Sequence, residues 1–60
     1  MPAMNVFIEP GERGEALEAY KDWLTPEQVA EIENAPESAI IRLQRDFGGV
    51  KTKITVIEEG

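Results

Sequence analysis

The alternation of apolar and polar residues on both sides of Gly48-Gly49 limits the fold of this chain more than any other pattern in it. Folded as a hairpin, the segment collects its apolar residues on one face, because successive side chains of a strand point to opposite faces. The predicted pairs are Phe47–Val50, Leu43–Ile54 and Ile41–Val56 on the apolar face, and Asp46–Lys51, Gln44–Lys53, Arg42–Thr55 and Ile40–Ile57 on the other. A Gly-Gly loop can close such a hairpin because both residues tolerate a positive φ.

Arg45 does not fit the predicted hairpin pattern, because it would place a charged side chain opposite Thr52 on the apolar face. A helix is the other interpretation of this segment. Residues 34–37 are similar to a helix-capping signal, and Gly48 can end a helix. The residues that would then share an apolar face are Ala39, Ile40, Leu43 and Phe47. Residues 50–57 form a strand in both interpretations, and we favour the hairpin.

The first half of the chain contains a strand signal followed by helix signals. Residues 4–9 are a run rich in β-branched and aromatic side chains that ends at Pro10-Gly11, which predicts a strand and a turn. Apolar residues then recur at helical spacing, which predicts an amphipathic helix over residues 14–24. The residues of its apolar stripe are Ala16, Leu17, Tyr20, Trp23 and Leu24.

A second helix is predicted to begin at Thr25 and to end near Asn34. Thr25 is a good N-cap, Pro26 suits the first helical position, and Gln28 can reach back to the cap. Residues 1–60 are therefore predicted to form one small α+β domain with the order β-α-α-β-β. Two acidic amphipathic helices pack on a three-stranded, mostly antiparallel sheet. The helical interpretation of the later segment gives the alternative order β-α-α-α-β.

The composition excludes several classes of function. The 60 residues contain no Cys and no His, which excludes disulfides, a thiolate nucleophile, a histidine base and a zinc site with the usual ligands. No motif indicates a cofactor or a metal. The longest apolar runs are three residues, too short to cross a membrane, and the start does not resemble a signal peptide. We therefore expect a cytoplasmic protein that is not an enzyme and has no membrane partner.

The net charge of −6 is unevenly distributed along the chain. Residues 1–37 carry nine acidic and two basic residues, a net charge of −7, whereas residues 38–57 have a net charge of +3. The acids predicted to line the outer sides of the two helices are Glu15, Glu18, Asp22, Glu27 and Glu31. Such residues can simply keep a protein soluble. They also suit a surface that binds a basic site on a protein partner.

Tyr20 and Trp23 lie on the apolar side of the first helix. The simplest interpretation is that they are core residues with polar tips at the rim. Alternatively they belong to the partner-binding surface, because Tyr and Trp are enriched at interaction hot spots. We expect a small acidic regulator or inhibitor, acting as a nucleic-acid mimic on a protein partner. In size and charge the protein resembles phage-encoded host-takeover proteins. No motif in the sequence indicates an oligomeric state.

Residues 25–47 also resemble the helix-turn-helix of small phage and bacterial regulators. The matching positions are Val29, Ala30, Asn34, Ile40 and Leu43. The resemblance requires a helix over residues 37–47, and it implies a DNA-binding transcriptional regulator with a basic wing over residues 50–56. The implied contacts to nucleic acid are Arg42, Arg45, Lys51 and Lys53. The net charge of −6 disfavours this partner, because nonspecific affinity comes from neutralising phosphates.

Overall fold

The structure, a computed structural model, describes residues 3–49 and 51–58. Its elements in chain order are β1 (Ala3–Ile8), α1 (Arg13–Tyr20), a 3₁₀ turn (Lys21–Trp23), α2 (Pro26–Asn34), β2 (Ile40–Asp46) and β3 (Lys51–Ile57). The strands form an antiparallel sheet in the order β1-β2-β3, and apolar residues of both helices pack on one of its faces. The predicted α+β fold and the order β-α-α-β-β are confirmed.

The register of β2 and β3 is the predicted one. The observed pairs are Ile40–Ile57, Ile41–Val56, Arg42–Thr55, Leu43–Ile54, Gln44–Lys53, Arg45–Thr52 and Asp46–Lys51. The predicted Phe47–Val50 pair lies outside the described residues, which omit position 50. β1 pairs with the other side of β2, where Val6 lies opposite Leu43 and Ile8 opposite Ile41. β2 is therefore the central strand.

The inward side chains of β2 form the centre of the core. Ile41 and Leu43 have no exposed surface, and Ile8 of β1 is only 2% exposed. A helix over residues 37–47 would have left Ile41 on the surface. That alternative, and with it the order β-α-α-α-β, is wrong, because a strand turns both Ile41 and Leu43 toward the same covered face.

The turn between β2 and β3 differs in detail from the predicted one. The pairs that the structure describes extend to Asp46 and Lys51, and Asp46 Oδ1 accepts a hydrogen bond from the Gly48 N–H at 2.9 Å. Gly49 does not adopt a positive φ. Asp46 and Lys51 lie opposite each other, but among the described residues they form no ion pair within 4.0 Å. The Asp46 carboxylate instead stabilises the turn.

The turn between β1 and α1 is the place where a glycine is required. Gly11 has a φ of 92°, a conformation that other residues rarely adopt. The Glu12 N–H donates a hydrogen bond to the Glu9 carbonyl oxygen at 3.0 Å across Pro10-Gly11. Pro followed by a Gly with positive φ is typical of a type II turn. The turn predicted at these two residues is confirmed.

α1 is shorter than the predicted helix over residues 14–24. The α-helix ends at Tyr20 and continues as the 3₁₀ turn to Trp23. Thr25 is extended, with φ −82° and ψ 161°, because Pro26 disfavours a helical residue before it. The chain must therefore leave the helix earlier than its apolar spacing indicates. In the part of the chain that the structure describes, no helix is long and apolar enough to cross a membrane.

α2 begins with the predicted capping box. Thr25 Oγ1 accepts a hydrogen bond from the Gln28 N–H at 3.1 Å, and Gln28 Oε1 accepts one from the Thr25 N–H at 3.0 Å. The other end of the same amide, Gln28 Nε2, donates to the Thr52 carbonyl oxygen of β3 at 2.8 Å. Gln28 therefore starts the helix and also fixes it to the sheet.

The other end of α2 is held by Arg13, at the start of α1. The Arg13 guanidinium donates hydrogen bonds to the carbonyl oxygens of Ala35 at 2.8 Å, Ile32 at 3.2 Å and Ala39 at 3.4 Å, and also to that of Pro36. Carbonyls at the end of a helix lack partners within it and carry partial negative charge, so a cation is favourable there. Arg13 thereby joins α1 to α2.

Candidate functional site

The acids predicted to bind a partner lie on the outer surface of the helical layer. Glu15 and Glu18 are on α1, Asp22 is in the 3₁₀ turn, and Glu27 and Glu31 are on α2. All of them are exposed. We call this set the acidic helical surface. Because a 3₁₀ helix has about 3.0 residues per turn, Asp22 is rotated away from the α-helical stripe that contains Glu15 and Glu18.

Few cations balance these negative charges. Residues 9–37 contain nine acidic residues and two basic ones, Arg13 and Lys21. Lys21 Nζ lies 3.5 Å from Glu18 Oε1, and both side chains are exposed. Such a pair contributes only about 0–1 kcal/mol, and Arg13 is bound to backbone carbonyls. The acidic helical surface therefore retains most of its negative charge.

Tyr20 and Trp23, the aromatic residues predicted for the site, pack against each other at the end of α1. Their ring centroids are 5.1 Å apart, and the ring of Phe47 meets Trp23 edge-on at 6.4 Å. Tyr20 and Trp23 are half-buried and contact the core, whereas Phe47 is 48% exposed. Both predicted residues therefore stabilise the fold.

Arg45 shows how a basic residue is accommodated on the apolar face. Its guanidinium carbon lies 5.2 Å from the ring centroid of Trp23, within the range of a cation–π interaction. Its Nη1 donates a hydrogen bond to Thr52 Oγ1 at 2.7 Å. The contact with Trp23 was not predicted from the sequence. Its signal was the isolated arginine on an otherwise apolar stripe, which requires an aromatic ring or an acceptor nearby.

The four bases predicted to contact nucleic acid lie on two faces of the sheet. Arg42, Lys51 and Lys53 occupy register positions on the face away from the helices, whereas Arg45 is on the helix-covered face. The recognition helix that the helix-turn-helix resemblance implies is instead the strand β2. The predicted helix-turn-helix is wrong, because residues 40–46 form a strand, and the side chains of a strand alternate between two faces instead of lining one. Position 50, where the predicted wing begins, is outside the described residues.

The comparisons with known proteins provide no relative from which a function could be transferred. No family model matches the chain, and no match was found among curated proteins or solved structures. The function of this chain is therefore inferred from the charge, exposure and packing of its own residues.

Proposed function

We propose that this protein is a non-enzymatic binding module that presents the acidic helical surface to a basic site on a protein partner. The observation that carries the proposal is the charge imbalance of residues 9–37, where nine acids accompany only Arg13 and Lys21. Negative charges of this density attract a basic surface and raise the rate of encounter with it. By covering that site, the protein would act as a regulator or an inhibitor.

A basic site that ordinarily binds nucleic acid is well matched to such a surface. Proteins bind nucleic acid largely by placing Lys and Arg against a regular row of phosphates. Carboxylates on successive helical turns form a comparable row, since neighbours on a helix are about 5–6 Å apart. The protein would then compete with nucleic acid for the site, as a host-takeover protein of the phage type does when it mimics nucleic acid.

The test reverses the charge of the surface while leaving the core unchanged. Glu15→Lys, Glu18→Lys and Asp22→Lys together change the net charge from −6 to 0. The matched control makes the same change of charge at exposed acids outside the surface, namely Glu9→Lys, Glu33→Lys and Glu37→Lys. Binding to a labelled arginine-rich peptide is measured by fluorescence anisotropy. In a second assay the immobilised protein captures nucleic-acid-binding proteins, and duplex DNA is then added to release them by competition.

The surface variant should bind the peptide at least about tenfold more weakly than the unmodified protein, and capture should be lost. The control variant should keep most of the affinity. Binding of the unmodified protein should weaken as salt is raised, because exposed charges are screened over about 8–10 Å. An equal loss in both variants would mean that only the net charge matters, which supports a solubility role for the acids instead.

A further inference from the structure

β1 is an edge strand with a free backbone edge. Its neighbour in the sheet is β2, and among residues 3–49 and 51–58 no loop backbone forms a hydrogen bond with its outer side. None of its six residues, Ala3–Ile8, is charged. An uncharged, unpaired edge of this kind offers a row of N–H and C=O groups to another strand.

β3, at the other edge of the sheet, is protected. Lys51 and Lys53 place two charges along it, and charged side chains discourage pairing with another chain. The Gln28 amide also occupies the Thr52 carbonyl oxygen, at 2.8 Å. Of the two edges, β1 is therefore the one that is open to an added strand.

A groove of about 280 Å³ lies between β1 and α1. Its walls include Val6 and Ile8 of β1 and Ala16 and Ala19 of α1. The small alanine side chains leave space under the helix for the side chains of a strand lying beside β1. We call this space the β1 groove. Two acids, Glu12 and Glu15, also line it. The site therefore combines an apolar floor with two carboxylates.

Phe7 extends the apolar surface of β1 toward its other face. Its side chain is 56% exposed, more than the other large apolar residues that are exposed in the described part of the chain. A strand paired with β1 would place a side chain about 4.5–5.5 Å from it. The side chains on one face of an added strand would thus contact the β1 groove, and those on its other face would contact Phe7.

We infer that the β1 groove binds an extended segment of the partner protein, in which basic and apolar residues alternate, as a fourth strand beside β1. The inference rests on the proposed function, because it specifies how the same basic partner binds. Main-chain hydrogen bonds to β1 supply affinity, and alternate side chains supply specificity. Lys or Arg stems lie along Ala16 and Ala19, with their charged ends at Glu12 and Glu15. The intervening apolar side chains cover Phe7.

Charge selects this occupant over a second copy of the chain. β1 contains no Lys or Arg that could reach the acids of another β1 groove. Antiparallel pairing of two β1 strands would also place both α1 helices on the same face of a continuous sheet, side by side. Glu12 and Glu15 of the two copies would then repel each other, whereas a basic segment neutralises them.

The experiment uses the full chain, isotope-labelled, and an acetylated peptide of about eight alternating valine and lysine residues, a typical strand length. A second peptide has the same sequence but carries N-methyl groups on alternate backbone nitrogens, which keep its charge and prevent strand pairing. NMR titration measures affinity and identifies the residues that shift. Ala19→Arg fills the groove and places a cation near Glu15, and Ala30→Arg makes the same change at an exposed position of α2.

The unmethylated peptide should shift the amides of Ala3–Ile8 and slow their hydrogen exchange, and the methylated peptide should bind at least about tenfold more weakly. Ala19→Arg should weaken binding by a similar factor, whereas Ala30→Arg should change it less than about twofold. If both peptides bound equally well, and both lost binding to the charge-reversed variant, the β1 groove proposal would be overturned and the proposed function would remain. Binding of neither peptide would overturn the groove proposal, and protection of β1 in a concentration-dependent dimer would assign the edge to a second copy.

Discussion

The two helices present similar acidic surfaces to solvent, but they are attached to the protein by different means. α2 has the Thr25 capping box at its start, Arg13 on the carbonyls at its end, and the fully buried Ile32 between them. At α1, Glu12 provides no side-chain cap, and no residue within Arg13–Tyr20 is fully buried. Hydrogen bonds at both ends and a fully buried core residue therefore stabilise α2, whereas α1 contributes only partly buried apolar residues to the core.

This difference separates two roles within one layer. α2 and β2 supply the largest fully buried side chains, Ile32, Ile41 and Leu43, so they form the stable part of the fold. α1 lies over the side of the sheet that ends at β1, and its Glu15 belongs both to the acidic helical surface and to the β1 groove. Segments that bind partners are generally drawn from the less stable parts of a protein. α1 has the properties of such a segment.

Ile32→Ala should break this arrangement most strongly. Removing a fully buried isoleucine side chain costs about 2–5 kcal/mol, which is most of the stability of a domain this small, about 3–5 kcal/mol. Leu17→Ala on α1 should cost about 1–2 kcal/mol, because Leu17 is only half-buried. Urea unfolding followed by Trp23 fluorescence measures both. Equal losses would show that α1 contributes to the core as much as α2 does.

Arg13→Met should have the next largest effect, because it removes every hydrogen bond from the side chain to the carbonyls of the last turn of α2 and the residues that follow it. A hydrogen bond that involves a charged group contributes about 1.5–3 kcal/mol, and we expect a total loss in that range. Arg13→Lys should lose less, because it keeps the cation at the helix end without the planar set of donors. The free energies of unfolding of the two variants measure this difference, and equal values would mean that charge alone is responsible.

Thr25→Ala should destabilise the protein by about 1 kcal/mol, because it removes the N-cap acceptor of α2. Thr25→Asn should restore most of that stability, since asparagine is an equally good cap. Glu12→Ala, at the corresponding position of α1, should change it by less than about 0.5 kcal/mol. Thermal unfolding monitored by circular dichroism provides the comparison. A larger loss from Glu12→Ala would contradict the distinction between the helices.

The features predicted from the sequence are those whose signals lie close together in the chain. The β2–β3 register follows from alternation around one turn, and the Thr25 box and the Pro10-Gly11 turn each involve residues at most three positions apart. The acids of the candidate site were likewise predicted to be exposed from helical spacing alone. The early end of α1 was missed, because the helical spacing of apolar residues continues past Tyr20, whereas the α-helix ends there.

The sequence by itself determined β1, α2 and β3 and their apolar faces, and it favoured a strand over a helix for β2. It also determined where the negative charge lies along the chain. Only the tertiary structure decided that Arg13 binds carbonyls 19–26 positions away, that Arg45 lies against Trp23, and that α1 beside β1 leaves a groove containing Glu12 and Glu15. The physical reason is the range of the interactions. Periodicity, caps and turns involve neighbouring residues, whereas these contacts exist only once hydrophobic burial has brought distant segments together.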